Sequence, residues 1–161
     1  MQLEIQEADL DNKTHQNAVI NLLNLYTLDL HGYNKYLPDT VLNELIPGLK
    51  KMPTSLIFLA QAENDFVGMA ICFLGFSTFY ARPLINIHDF TVKKDFRNSG
   101  IGTALIQAVE TKAKELNCCK LTLEVQEINV LAMKLHQKTG FIKSMRNKSD
   151  GKVLFLSKYL S

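Results

Sequence analysis

The chain has 161 residues, of which 47% are apolar and 21% are charged, and its formal net charge at pH 7 is +2. This length and composition are typical of a globular protein, so we predict one domain over residues 1–161. The small net charge gives no reason to expect a nucleic-acid partner, and no apolar run is long enough to cross a membrane.

The first third of the chain predicts a strand and two helices. Alternating apolar residues predict a strand over residues 2–8, and two apolar stripes at helical spacing then follow. The stripes are Val19, Leu22, Leu23 and Tyr26, and then Val41, Leu42, Leu45 and Ile46. Asp39 or Thr40 would cap the second helix, and Gly48 would end it. The intervening residues 29–38 are either a connector or a loop that lines a substrate site.

Three strands are predicted next. Residues 55–60 and 66–73 are almost continuously apolar, which predicts strands buried on both faces, with a hairpin turn over residues 62–65. Residues 85–92 carry β-branched and aromatic residues with period two, which predicts a third strand. Because short links join the three strands, we expect them to be antiparallel.

A polar turn over residues 93–102 separates the strand at 85–92 from a long helix. The order of strand, glycine-containing turn and helix points backbone N–H groups and the positive end of a helix dipole at one spot, which suits a phosphate. Gly100 and Gly102 would let the backbone approach an anion closely. The alternative is that these glycines only make a tight turn. The pattern is not the dinucleotide fingerprint, because position 105 is Leu, and no Gly-Lys-Ser/Thr follows to make a P-loop.

The last third predicts a strand over 120–125, a short helix over 129–139 and a final hairpin. The crossover helix makes the strand at 120–125 parallel to the one at 85–92, and the two can splay apart at their carboxyl ends. Leu131, Ala132 and Leu135 would be buried, and Gly140 would stop the helix. The hairpin would run from Phe141 to Ser157 and turn at residues 149–151. We therefore predict an α+β fold with a mixed, mostly antiparallel twisted sheet flanked by about four helices.

The amino terminus and the cysteines indicate the compartment. Residues 1–5 lack the basic flank of a signal peptide, and Cys72, Cys118 and Cys119 lack the spacing of metal ligands. We expect a cytoplasmic protein with reduced thiols and no metal site.

Two motifs resemble those of the GCN5-related N-acetyltransferase (GNAT) superfamily. The run Arg97-Asn98-Ser99-Gly100-Ile101-Gly102 is similar to the family's acetyl-CoA signature, Arg/Gln-x-x-Gly-x-Gly/Ala, and Val92 stands at the hydrophobic position five residues before it. The second motif is Asn129-x-x-Ala132-x-x-Leu135-His136-x-x-x-Gly140-Phe141. Within the family, residues 76–92 look most like small-molecule acetyltransferases of the diamine or polyamine type.

The resemblance implies acetyl-CoA as the acetyl donor. Its pyrophosphate would sit on the backbone N–H groups of residues 98–103, and its pantetheine arm would run between the splayed strands, where residues 90 and 92 offer backbone hydrogen bonds. The cofactor-binding residues implied are Phe90, Thr91, Val92, Arg97, Asn98, Ser99, Gly100, Ile101, Gly102, Thr103, Asn129 and Ala132.

The resemblance also implies direct attack by a primary amine in a ternary complex. His136 stands where the family usually has a Tyr acid, so it would protonate the leaving thiolate; alternatively, it only packs. The candidate bases are His88, Asp89 and Glu124. His88 lies on the predicted strand face of Phe90 and Val92, and Glu124 alternatively selects a cationic substrate. His88 is equally consistent with a hydrogen-bonded sheet histidine. Asp89 would point to the opposite face and be structural.

The expected function is therefore N-acetylation of a small amine, with no nucleic-acid or membrane partner and a possible homodimer. Two alternatives stay open. One is a protein or peptide N-acetyltransferase, and the other is a non-catalytic acyl-CoA-binding domain, which the missing Tyr at position 136 supports.

Overall fold

The helices and strands follow the hydrophobic periodicity of the chain. The structure is a computed structural model, and it describes residues 2–29, 34–143 and 157–159. In chain order the elements are β1 (Leu3–Glu7), α1 (Lys13–Thr27), α2 (Asp39–Lys51), β2 (Ser55–Ala62), β3 (Asp65–Ser77), β4 (Arg82–Val92), a 3-10 turn (Lys94–Phe96), α3 (Ile101–Glu115), β5 (Leu121–Leu123) and α4 (Val130–Lys138). The predicted hairpin beyond residue 143 lies outside the described residues, apart from Ser157, which is not in a strand.

The five strands form one sheet in the order β1-β2-β3-β4-β5. The first four pair antiparallel with their neighbours, and β5 pairs parallel with β4 through α3 as the crossover. The predicted mixed, mostly antiparallel sheet with four helices is therefore confirmed.

Two apolar layers cover the sheet, one on each face. On one face, α3 packs its buried Ile101, Leu105 and Val109 against the sheet, and on the other face α1 and α2 pack Leu22 and Ile46. Both β2 and β3 contribute side chains to each layer. This burial on both faces explains why their sequences read as continuous apolar runs.

A β-bulge interrupts β4 at His88, one of the candidate bases. Cys72 of β3 pairs with Ile87, but Ile71 pairs with Asp89, so His88 is an extra residue in β4. The extra residue shifts the alternation of faces, and Ile87 and Phe90 both pack on the α3 side. His88 lies edge-on against Phe73, with ring centroids 5.5 Å apart.

The bulge overturns the predicted faces of His88 and Asp89. Phe73 and Ile71 belong to the layer under α1 and α2, so His88 and Asp89 both face that side. The expectation that His88 shares the face of Phe90 and Val92 is therefore wrong, and so is the expectation that Asp89 points away from His88. A regular strand has a period of two, and one inserted residue reverses every later assignment.

Three details of the helices also differ from the sequence-based expectations. The cap of α2 is Pro38, with no side-chain hydrogen bond, and not Asp39 or Thr40. The helix continues through Gly48 to Lys51, because Leu49 extends the buried stripe by another turn and its packing outweighs the roughly 1 kcal/mol helical cost of glycine. In α4, Leu131 is 56% exposed and not buried.

Candidate active site

The sheet opens on one side of β4, as predicted. The parallel pairing with β5 covers only Ile85–Ile87, whereas β4 continues to Val92. Residues 88–92 are therefore without a strand partner on that side in the described part of the chain. The splay gives backbone groups that can bind an extended ligand in the manner of an added strand.

A groove of about 600 Å³ lies beside this free edge. It brings together ten of the predicted cofactor-binding residues, which are Phe90, Thr91, Val92, Arg97, Asn98, Gly100, Gly102, Thr103, Asn129 and Ala132. The other two predicted residues do not line it with their side chains. Ile101 is 1% exposed in the core, and the Ser99 hydroxyl donates to the carbonyl of Phe96. Only their backbone groups can serve the groove.

The turn before α3 has the backbone geometry of an anion site. Asn98 and Gly100 have φ of +61° and +89°, which Asn and Gly tolerate better than other residues. Gly100 caps α3 without a side-chain hydrogen bond, and the first bond into the helix runs from the Ala104 N–H to the Gly100 carbonyl, at 3.0 Å. The N–H groups of Ile101, Gly102 and Thr103 precede that bond, so they belong to the unpaired donors of a helix start.

Gly102 is required by close packing. A Cβ atom at this position would lie 2.8 Å from Leu135 Cδ2 and 3.7 Å from Phe90 Cε1. The missing side chain therefore allows α4 to approach the start of α3 and complete the groove.

Arg97 makes contacts within the protein at the edge of the groove. Its Nε donates to the carbonyl of Val92 at 2.9 Å, and its Nη2 donates to the carboxylate of Asp29. The two side chains are each about 30% exposed. The guanidinium thus joins the end of β4 to Asp29, two residues after the end of α1.

Asn129 holds the start of α4 on the opposite wall of the groove. Its Oδ1 accepts a hydrogen bond from the Ala132 N–H at 3.1 Å, which is an N-cap. The exposed apolar residues Ile128, Val130 and Leu131 follow the same wall. Leu131 is exposed because it faces this groove and not the core.

His136 is buried between two aromatic rings. It is 6% exposed, and its ring centroid lies 5.8 Å from that of Phe90 and 5.6 Å from that of Phe141. Among the residues that the structure describes, none offers a hydrogen-bond partner to its buried Nδ1. Burial lowers the pKa of His136 below the ordinary value of 6.5, so the ring is neutral at pH 7. His136 does not line the groove.

The three carboxylate and imidazole candidates for the base lie near the splay but outside the groove lining. His88 and Asp89 are neighbours at the bulge, and Glu124 is exposed directly after β5. Burial raises the pKa of the Asp89 carboxyl, and the neighbouring His88 lowers it by a smaller amount.

Cys72 and Cys118 lack the features of a catalytic nucleophile. Cys72 is fully buried, and burial, with a smaller contribution from Asp89, raises its pKa to about 12. Burial also raises the pKa of Cys118, which follows the end of α3. A raised pKa leaves little thiolate at neutral pH, so a covalent cysteine mechanism is disfavoured.

Sequence reasoning missed several residues of the groove. These are Tyr26, Asp29, Phe96, Ile128, Val130, Leu131, Lys134, Leu135 and Lys138. The spacing of Leu131, Lys134, Leu135 and Lys138 is that of one helix face, so the sequence pattern could have predicted this wall. No sequence pattern connects Tyr26 and Asp29, which come from a distant part of the chain, with the groove.

Comparison with known proteins adds independent information. Residues 19–141 match the model of the "Acetyltransferase (GNAT) family". Streptothricin acetyltransferase A of Bacillus subtilis (strain 168) is 45% identical over 56 residues, which is 35% of this chain and 32% of that protein. An N-alpha-acetyltransferase of Sulfurisphaera tokodaii is 32% identical over 109 residues, which is 62% of this chain and 65% of that protein.

Solved structures share the fold of this chain. The structure of AAC(6')-Iy in complex with the bisubstrate analog CoA-S-monomethyl-acetylneamine covers 99% of this chain and 100% of its own, with a TM-score of 0.76 and 21% identity. By contrast, the matched segment spans only about a third of the length of the streptothricin enzyme. None of the helices in the described ranges has the length and apolar character needed to span a membrane.

Proposed function

The chain belongs to the acetyltransferase (GNAT) family, whose members take the acetyl group from acetyl-CoA, and on that premise we propose that it acetylates a primary amine of a small molecule. The observation that carries the proposal is the groove itself. It joins the free edge of β4, the N–H groups at the start of α3 and the capped start of α4 in one continuous wall. These are the parts that an extended ligand with a diphosphate at one end requires.

The residues present fit acetyl-CoA. The first-turn N–H groups of α3 and the positive end of its dipole suit the diphosphate. The backbone of Phe90 and Val92 suits the amides of the pantetheine arm, since a free strand edge pairs with extended chains. Asn129 and Ala132 flank the same arm from α4. When bound, acetyl-CoA supplies the activated acyl group as a thioester.

The side chains of this protein must catalyse the proton transfers of the reaction. An amine with a pKa of about 10.4 is protonated at pH 7 and must lose a proton before it can attack a carbonyl. His88 is the proposed base, and Glu124 is the second candidate. Because the bulge turns His88 to the side of α1 and α2, outside the groove lining, it would take the proton through a water molecule and not directly. General acid–base catalysis of this kind contributes roughly 10²- to 10⁴-fold to the rate.

His136 is the proposed acid because of its position in the second motif. It is buried between Phe90 and Phe141 and does not line the groove, so it could reach the leaving thiolate only if one of these rings moved. A neutral imidazole carries one proton, on either Nδ1 or Nε2. Because burial keeps the ring neutral at pH 7, it would donate as an imidazole and not as an imidazolium. A neutral imidazole is a weak acid, and this also favours the alternative in which the domain binds acyl-CoA without catalysis.

The relatives do not agree on the class of acceptor amine. The streptothricin enzyme favours a small amine, whereas the N-alpha-acetyltransferase of Sulfurisphaera tokodaii favours a peptide amine. We place the small amine first, since residues 76–92 resemble the small-molecule branch of the family.

An acceptor panel tests the proposal. Thiol release from acetyl-CoA would be followed with diamines, polyamines, streptothricin and short peptides, and Gly102→Glu would serve as the inactive control. We expect release above background with at least one small amine. Turnover with peptides alone would replace the small-molecule assignment, and binding without turnover on any amine would favour the non-catalytic alternative.

A further inference from the structure

The ion pair between Asp29 and Arg97 forms part of the groove lining. Arg97 precedes the anion-binding turn, and Asp29 follows the end of α1, where its N–H donates to the Tyr26 carbonyl at 3.1 Å. A second bond from Arg97 to the Val92 carbonyl fixes the guanidinium along the end of β4. Helix, strand and turn therefore meet at one charged side chain.

Both partners of this pair line the groove, beside Asn98 and Gly100. The carboxylate of Asp29 therefore belongs to the wall of a site that we propose for a diphosphate. An anion entering this site meets a like charge in Asp29 and a guanidinium already engaged by that charge. Exchange of one anionic partner of an arginine for another is a direct competition, because both use the same N–H donors.

We propose that Asp29 sets the affinity of the site for the diphosphate by competing with it for Arg97. This inference rests on the proposed acetyl-CoA site. In the empty groove, Asp29 neutralises Arg97 and holds it along β4. In the occupied groove, the diphosphate and Asp29 compete for the Arg97 guanidinium. Binding therefore weakens the ion pair, and this cost lowers the affinity for the diphosphate.

The proposal makes a definite prediction for Asp29→Asn. The amide keeps the size of the side chain and removes its charge, so Arg97 becomes available to the ligand. We expect CoA to bind roughly two- to fivefold more tightly, the range of a partly exposed ion pair. Dephospho-CoA, which keeps the diphosphate, should show the same gain.

A matched control is available at the same end of β4. Asp65 pairs with Lys93, the residue after Val92, but does not line the groove, and its side chain is 63% exposed. Asp65→Asn makes the same change in net charge and removes an ion pair of the same kind. We expect it to leave the affinity for CoA unchanged.

A double-mutant cycle separates competition from simple repulsion. Calorimetric titration with CoA would compare wild type, Asp29→Asn, Arg97→Gln and the double variant, with thermal unfolding to show that each is folded. Competition predicts a larger gain from Asp29→Asn when Arg97 is present than when it is replaced.

Several results would overturn the proposal. They are unchanged or weaker binding in Asp29→Asn, an equal gain in both Arg97 backgrounds, and an equal gain in the Asp65→Asn control. A folded wild-type protein that fails to bind CoA would instead remove the proposed acetyl-CoA site, and this inference with it.

Discussion

At the scale of single residues, His136 combines an unusual set of properties. It is an ionisable side chain in an apolar setting, flanked by Phe90 and Phe141, and its buried Nδ1 has no hydrogen-bond partner within the described part of the chain. A buried polar atom without a partner costs about 1–3 kcal/mol. Because an apolar side chain would avoid this cost, the histidine is more consistent with a functional role than with packing alone.

The buried ring should make stability depend on pH. Burial lowers the folded-state pKa of His136, whereas the unfolded chain has the ordinary value near 6.5. Below pH 6.5 the unfolded state therefore binds more protons than the folded state, and the free energy of unfolding falls as the pH falls, down to the folded-state pKa. Denaturant unfolding at pH 7.5 and 5.5 should show a smaller loss in His136→Phe than in wild type. Equal losses would contradict this role of His136.

The same variant tests the catalytic role. If His136 is the acid, His136→Phe should slow turnover by roughly 10²-fold or more and leave the affinity for acetyl-CoA near normal, since the ring does not line the groove. The measurement is the rate of thiol release as a function of pH, beside calorimetric titration. An unchanged rate and pH profile would mean that His136 only packs.

At the scale of elements, the sequence predicted the types of the elements well and their local irregularities poorly. Periodicity located β1 to β5 and the four helices, because burial of apolar faces determines both pattern and structure. It did not reveal the bulge at His88, because no residue type in that strand identifies where the register shifts. The continuation of α2 through Gly48 was also missed, since tertiary packing overrode a local stop signal.

The bulge predicts an electrostatic coupling between His88 and Asp89. Both side chains face α1 and α2, and His88 lowers the pKa that burial raises in Asp89. Replacement of His88 by Gln should therefore raise the pKa of Asp89. The change can be followed by carbon-13 NMR of the Asp89 carboxyl during a pH titration. An Asp89 titration that is the same in both proteins would contradict this coupling.

The two Asn caps allow the structural and ligand roles of Asn129 to be separated. Asn129 caps α4 at the groove, and Asn12 caps α1 with an equivalent bond to the Thr14 N–H at 2.8 Å, away from it. Either change to Ala should cost about 1 kcal/mol of stability. Only Asn129→Ala should also weaken the binding of acetyl-CoA. Thermal unfolding and calorimetric titration would check both, and equal affinity in the two variants would remove Asn129 from the site.

At the scale of the whole molecule, the groove is assembled from distant parts of the chain. The two motifs predicted the walls at residues 97–103 and 129–132, since each motif carries its own backbone requirement. They did not predict that Asp29, 68 residues before Arg97, pairs with Arg97 in the groove lining. A long-range ion pair leaves no periodic signal in a single sequence, so only the structure shows it.

The position of His88, the candidate base, could also be predicted only in part from the sequence. Its position relative to the splay follows from the strand order, but its face depends on one extra residue in the ladder. The fold and two walls of the groove were therefore accessible from sequence, whereas the faces of His88 and Asp89 were not.

Calorimetric titration of the purified protein with acetyl-CoA, CoA and ATP tests the central claim most directly. We predict that acetyl-CoA and CoA bind, that ATP does not, and that Gly102→Glu abolishes binding. The last expectation follows because the new side chain would meet Leu135 and place a negative charge in the diphosphate seat. A folded wild-type protein that binds neither acetyl-CoA nor CoA would mean that the turn at residues 97–102 is only structural, and it would contradict the proposed function.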